Sequence, residues 1–149
     1  MATLFDEMTA LAKAFDEAGI EYGLCGGLAM AVHGFSRATI DIDFLIKAES
    51  LEKGYEIAAE LGFDIRGLDM SFKERAVEIR RVSKIDDEGE VLSFDMLLVS
   101  AEVEDVWESR ITMSLAGNTY WIVSRDGLIK MKTLAGRAQD LADLERLQG

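Results

Sequence analysis

The segment ATIDIDFLI, residues 38–46, sets Asp41 and Asp43 one residue apart in a run that otherwise has the composition of a core strand. Carboxylates are depleted from strands and are rarely buried without a partner. Strand side chains alternate in facing, so Asp41 and Asp43 share one face while Ile40, Ile42 and Phe44 take the other. The fold must therefore supply a sheet with one apolar, packed face and one face that tolerates charge. Two carboxylates about 6–7 Å apart along a strand repel each other unless something positive lies between them. A divalent cation with oxygen ligands meets that need, and Mg²⁺ typically takes one or two carboxylates plus substrate phosphates. A half-exposed edge strand with an acidic outer face produces the same pattern.

A third acid sharpens the reading. In VLSFDMLLVS, residues 91–100, Asp95 lies between Phe94 and Met96. Its facing is opposite to that of Leu92, Phe94, Met96 and Leu98. If this strand pairs beside the one bearing Asp41 and Asp43, the three carboxylates can converge. A two-metal phosphoryl-transfer site needs such an arrangement, with ions ~3.5–4 Å apart. Upstream, Gly26-Gly27 falls between a strand and a helix, where backbone N–H groups are unpaired and the helix start is electropositive. Without Cβ atoms, that backbone can be approached closely by a triphosphate. A tight strand-to-helix turn explains the glycine pair equally well, but its position just ahead of the D-x-D strand favours phosphate binding.

Periodicity orders the remaining elements. A helix is expected over Ala2–Ala18, stopped by Gly19, then a strand over Ile20–Cys25, a helix over Leu28–His33 and a strand over Thr39–Ile46. Ser50 can cap a helix to Leu61, with Gly62 as its stop. Ala76–Ile85 and Glu90–Val99 read as a hairpin turned by DDEG, and Ile111–Leu115 and Thr119–Val123 as a second hairpin around Gly117-Asn118. Glu102–Ser109 reads as helical, and Ser124 caps a final helix from Gly127 to about Leu147. The segment Arg66–Arg75 fits no element. The expected class is α+β, a mixed and mostly antiparallel sheet flanked by helices, because hairpins exclude a purely parallel sheet.

With 149 residues, no proline and no repeat or linker, the chain is expected to form one domain, residues 1–149. No apolar run reaches the ~20 residues of a membrane span, and the N-terminus lacks a signal-peptide pattern, so no membrane association is expected. Cys25 is the single cysteine, which excludes an internal disulfide and a cysteine-based metal site and makes a cytoplasmic setting the default. A net charge of −12 argues against broad nucleic-acid binding by phosphate neutralisation.

The double glycine, the run AVHGFSRATIDID, the strand SFDML and the closing DGLIKMKTLAGRAQDLADL together resemble the DNA polymerase β-like nucleotidyltransferase superfamily. Within it, the chain is most similar to the small bacterial AbiEii-like and minimal nucleotidyltransferases. The resemblance spans nearly the whole chain. It implies the nucleotidyltransferase fold and metal-dependent transfer of a nucleoside monophosphate from an NTP to a hydroxyl acceptor (RNA, protein or small molecule), with release of pyrophosphate. Asp41 and Asp43 match the metal-binding pair, with Mg²⁺ or Mn²⁺ as the ion. Asp95 matches the third carboxylate, which in such enzymes helps to activate the acceptor hydroxyl. Gly26 and Gly27 match the phosphate-contacting loop, with Gly27 where many members carry a serine. The family's closing helix carries a lysine, an arginine and aspartates that Lys132, Arg137, Asp140 and Asp143 match.

On a helical wheel Lys132, Gly136, Asp140 and Asp143 gather beside an apolar stripe of Met131, Leu134, Ala135, Ala138, Leu141 and Ala142. Lys132 could then reach a triphosphate as a point charge, and Asp140 belongs to the same candidate site. A solvated flank with an Arg137–Asp140 pair is the plainer alternative. Arg37 either contacts phosphate or pairs with a carboxylate. His33 is read as structural rather than as a base, Cys25 as a small buried residue, and Trp107 and Trp121 as packing residues. Lys130 points away from the candidate site. Besides the enzyme, two readings remain. One is a nucleotidyltransferase-fold antitoxin or partner of a toxin–antitoxin pair that acts by protein binding. The other is an acidic metal-binding domain without catalysis.

Overall fold

The computed structural model describes residues 3–35, 41–72 and 76–149. Six helices are seen: α1 (Leu4–Glu17), α2 (Gly26–Val32), α3 (Leu51–Glu60), α4 (Glu104–Glu108), α5 (Arg125–Ala135) and α6 (Ala138–Gln148). Eight strands form one sheet: β1 (Gly23–Cys25), β2 (Asp41–Ile46), β3 (Ile65–Arg66), β4 (Met70–Phe72), β5 (Val77–Ile85), β6 (Val91–Leu98), β7 (Ile111–Leu115) and β8 (Asn118–Ile122). Their order is β3-β5-β6-β2-β1-β8-β7, with β4 also paired to β5. Among the described residues pairing is parallel at β2·β6 and β1·β8 and antiparallel elsewhere, so the mixed, mostly antiparallel sheet is as expected.

The two faces of the sheet do different work. On one, Phe44 of β2 and Phe94 of β6 meet ring edge to ring face, 5.1 Å between centroids, and Phe15 of α1 closes on both. Tyr22 stacks on Phe44 at 4.6 Å. All four are fully buried, and Met8, Leu11 and Ala12 of α1 with Ile57 and Ala58 of α3 complete this layer. Lys84 crosses it at the edge, donating to Glu7 of α1 at 2.5 Å and to the Leu61 carbonyl at 3.1 Å. The opposite face carries Asp41 and Asp43 and is covered in part by α2 and α5.

The helix ends explain where several elements stop. Thr3 caps α1 through a reciprocal box with Asp6, at 3.0 and 2.9 Å. At its other end Gly19 takes φ +72° and Ile20 donates back to the Phe15 carbonyl. This pattern closes a helix with a left-handed glycine, and it holds Ile20 out of the sheet, so β1 is shorter than the expected strand. Gly62 and Phe63 end α3 in the same way.

Four expectations are corrected. Ser50 makes no side-chain cap; a 3₁₀ turn over Ala48–Ser50 leads into α3 instead. The second hairpin turns on Ala116-Gly117, both at positive φ, and Asn118 already pairs with Leu115. The unplaced segment supplies β3 and β4, short edge strands on β5. The final helix is two helices, because Gly136 adopts φ +62° and the chain reverses into α6. Leu141, placed on an apolar stripe by the continuous wheel, is accordingly exposed. No helix among the described residues is long and apolar enough to cross a membrane.

Because Phe44 is enclosed by three aromatic rings, Phe44→Ala should cost about 3–5 kcal/mol in urea denaturation. A loss below about 1 kcal/mol would show that this face is not the main core.

Candidate active site

Register builds the site. Parallel pairing sets Asp43 of β2 abreast of Asp95 of β6, and antiparallel pairing sets Arg81 of β5 abreast of Asp95. Asp43, Asp95 and Arg81 therefore form one rung across three strands. The rung on one side is Asp41, Ser93 and Ser83, with the two serine hydroxyls 3.0 Å apart. The rung on the other side is Leu45, Leu97 and Ile79. Alternation puts all three rungs on the face opposite the aromatic core.

Arg81 is the residue that sequence reasoning missed. Its Nε donates to Asp95 Oδ1 at 2.7 Å and its Nη2 to Asp95 Oδ2 at 2.9 Å, and Nη2 also reaches Asp41 Oδ2 at 3.5 Å. A readable signal was present: counting back along the hairpin from the DDEG turn pairs Asp95 with Arg81. The hydrogen bonds that Arg81 donates to Asp95, together with the charges of the nearby acids, hold the guanidinium even more firmly charged than usual. Asp95 itself is buried.

Asp43 is in the opposite situation. Burial, then the charges of Asp95 and Asp41 and a hydrogen bond shared with Asp95, push its carboxyl up to about 8, against a weaker pull from Lys132. Among the described residues no lysine or arginine stands within ion-pair distance of it. Gly26 takes φ +69° where β1 passes into α2, and a Cβ there would lie 2.7 Å from Asp43 Cγ. Only glycine lets the start of α2 lie against this carboxylate. Cys25, the residue before α2, offers no side-chain cap.

The helical hairpin α5–α6 brings in the remaining residues. Lys132 of α5 is buried, its Nζ 2.9 Å from Asp143 Oδ2 and 3.6 Å from Asp140 Oδ1. Arg137 donates to Asp140 from Nε at 2.7 Å and from its backbone N–H at 3.1 Å, and Gln139 donates to Asp143 at 2.9 Å. Burial raises the Asp140 carboxyl, but bonds from Arg137 and the charges of Arg137 and Lys132 outweigh it and hold the group below its ordinary range. One continuous helical face does not gather these residues, as the wheel implied; the reversal at Gly136 does.

A cavity of about 270 Å³ opens here, with Gly26, Gly27, Asp41, Asp43, Asp95, Arg81, Lys132, Arg137 and Asp140 in its polar wall. Leu45, Ile79, Leu97, Leu128 and Met131 line its apolar wall. Of the expected site residues, Arg37 lies outside the described residues. His33 Nε2 donates to the Val123 carbonyl at 2.9 Å, a structural tie. Cys25 is buried, and burial and the neighbouring Asp43 charge push its thiol well up, which makes it a poor nucleophile. Trp107 packs in the core under Arg110, Trp121 is partly exposed on the second hairpin, and Lys130 pairs with Asp105 at 2.8 Å.

The donor chemistry suits a hard divalent cation. All three acids offer oxygen, and Asp43, driven toward protonation by its neighbours, is a carboxylate whose charged form such an ion restores. As the side chains stand, no three metal-ligating groups among the described residues form a ready cage, and Arg81 stands between Asp95 and Asp41.

No protein-family model matches the chain, and no curated protein sequence does. Solved structures do. The lincosamide antibiotic adenylyltransferase LnuA, bound to lincomycin, aligns over 99% of this chain and 98% of its own at TM-score 0.60 and 14% identity. The fold is the nucleotidyltransferase fold. ANT(2")-Ia, in complex with adenylyl-2"-tobramycin, aligns over 94% of this chain and 84% of its own at TM-score 0.59 and 17% identity. A nucleotidyltransferase-like protein from Paracoccidioides brasiliensis aligns over 95% and 74% at TM-score 0.55 and 16% identity. Nucleotidyltransferases are thus distant structural relatives of this chain.

The raised Asp43 carboxyl has a consequence for stability. Between its unfolded value of 3.8 and about 8, the native state keeps a proton that the unfolded chain releases. Stability of the metal-free protein therefore falls as pH rises through that window. In EDTA at pH 8, Asp43→Asn should raise stability by about 1–3 kcal/mol, or a few degrees in Tm, and flatten the decline between pH 5 and 8. Thermal melts across that range check it; an Asp43→Asn protein less stable than wild type at pH 8 would contradict the site electrostatics.

Proposed function

We infer that this protein is a Mg²⁺-dependent nucleotidyltransferase, moving a nucleoside monophosphate from an NTP to a hydroxyl acceptor and releasing pyrophosphate. The observation that carries the reading is the Asp43–Asp95 rung, with Asp41 one step along β2 and Gly26 pressed against Asp43. Its setting in a fold shared with two adenylyltransferases adds support.

Asp41, Asp43 and Asp95 would hold the ion, which when bound neutralises phosphate charge and aligns the attacking and leaving oxygens. The start of α2 at Gly26-Gly27 brings backbone N–H groups, with no side chain in the way, to the triphosphate. Lys132, held by Asp140 and Asp143, keeps a positive charge beside the phosphates and needs no reorganisation to do so. Asp95 faces the acceptor and takes up its hydroxyl proton. The acceptor oxygen bonds to the α-phosphorus, the α–β bridging bond breaks, and the bridging oxygen leaves with pyrophosphate. Catalysis then consists of positioning and electrostatics.

A small hydroxylated acceptor suits the chain better than RNA. The net charge of −12 opposes polyanion binding, and the related folds hold lincomycin in one case and an adenylylated tobramycin in the other.

Incubation with each α-labelled NTP, Mg²⁺ and panels of small hydroxylated compounds, RNA and protein should yield a labelled acceptor. Asp43→Asn and Asp95→Asn should each lower transfer at least ~10³-fold, and Gly26→Ala at least ~10-fold. Absence of transfer to every class, together with tight binding to a protein encoded beside it, would replace the enzyme with the antitoxin or partner reading.

A further inference from the structure

Arg81 stands where the enzyme reading wants a cation. Both oxygens of Asp95 are taken by its fork, at 2.7 and 2.9 Å, and the same Nη2 reaches Asp41 at 3.5 Å. A two-pronged guanidinium–carboxylate pair is among the stronger hydrogen-bonded arrangements in proteins. While it persists, Asp95 cannot offer those lone pairs to an incoming ion, and the guanidinium charge repels a dication at close range. The two partners differ in freedom. Asp95 is 4% exposed and fixed in the middle of the sheet, whereas the Arg81 side chain is 36% exposed and borders the cavity. Its stem passes Gly67, where a Cβ would lie 3.4 Å from Arg81 Cβ, so position 67 sets no side chain against it.

We propose that Arg81 is an internal counter-ion that competes with the catalytic cation for Asp95 and Asp41 and leaves them only when a nucleotide offers its phosphates in exchange. The inference rests on the nucleotidyltransferase reading. A guanidinium binds phosphate oxygens with the same fork that it uses for carboxylate. Entry of a triphosphate therefore supplies Arg81 with a new partner at the moment the carboxylates are required elsewhere. Free cation alone supplies none. The site is thereby biased against empty metallation and toward the metal–nucleotide complex, and Arg81 acts as a positioning residue rather than a catalytic one.

The test reads metal binding directly. Mn²⁺ is titrated into wild type, Arg81→Gln and Arg81→Gln/Asp43→Asn, with unbound Mn²⁺ followed by its electron paramagnetic resonance signal. The titration is run without nucleotide and with a non-hydrolysable ATP analogue. Without nucleotide, Arg81→Gln should bind Mn²⁺ at least ~10-fold more tightly than wild type, and the double variant should lose that gain. With the analogue present, the advantage of Arg81→Gln should shrink or reverse, because the phosphates have lost a partner. In melting experiments Mn²⁺ should raise the Tm of Arg81→Gln more than that of wild type. If Arg81→Gln fails to fold in EDTA, Arg81→Lys decides the matter: it keeps the charge, loses the fork, and should bind Mn²⁺ more tightly than wild type by a smaller factor. Equal Mn²⁺ affinity in wild type and the Arg81 variants, with analogue binding intact, would overturn the role of Arg81 alone. No Mn²⁺ binding by any of the proteins, with or without the analogue, would overturn the metal-dependent reading beneath it.

Discussion

The in-register pairing of β2 with β6 is the constraint on which everything else rests. It sets two carboxylates side by side in the centre of a sheet, a position that opposes folding unless other interactions outweigh the repulsion. Relief comes from three directions. Arg81 arrives from β5 on the same rung, Asp43 shifts toward its protonated form, and Lys132 adds a more distant positive charge from α5. Neither Arg81 nor Lys132 is local in sequence to Asp41 or Asp43.

The reverse face of the same strands supplies what the acidic face lacks. Phe44 and Phe94 are immediate chain neighbours of Asp43 and Asp95, and they anchor the aromatic cluster with Phe15 and Tyr22. One residue of strand thus separates the strongest packing from the least comfortable charge. Full burial of such side chains contributes roughly 1.5–3 kcal/mol each, so the cluster can hold a strained acidic rung in place without help from a bound ion. Rigidity of that kind is what a preorganised phosphoryl-transfer site calls for.

Much of this was legible from the chain. The D-x-D alternation fixed the facing of Asp41 and Asp43, the Phe94-Asp95-Met96 phase fixed Asp95, and both hairpins lay close to where their turn residues placed them. The α+β class followed from those hairpins. What could not be read was long-range or conformational. Parallel pairing of β2 with β6 joins segments about fifty residues apart, and no local signal encodes it. Gly136 reads as a tolerated helical glycine until its left-handed φ is known, and so α5 and α6 ran together. Arg81 went unnoticed because arginine in a strand ordinarily signals a solvated face, and only the hairpin register reveals that it points at an acid. The short edge strands β3 and β4 have too few residues to show any period.

The three rungs on the acidic face also act as a ruler. Moving along the strands, the surface passes from the Asp41 rung to the Asp43–Asp95 rung to the leucine–isoleucine rung in steps of about 7 Å. Its character changes from polar to ionic to apolar within a span shorter than an extended nucleoside triphosphate. A ligand of that length lying along the strands must straddle the boundary. If its phosphates rest on the charged rung and it extends toward Leu45, Leu97 and Ile79, sugar or base falls on an oily floor; in the other direction it meets serine and aspartate. On the proposed function, the sheet would give a nucleotide a heading as well as a place, and would do so with side chains fixed by backbone register.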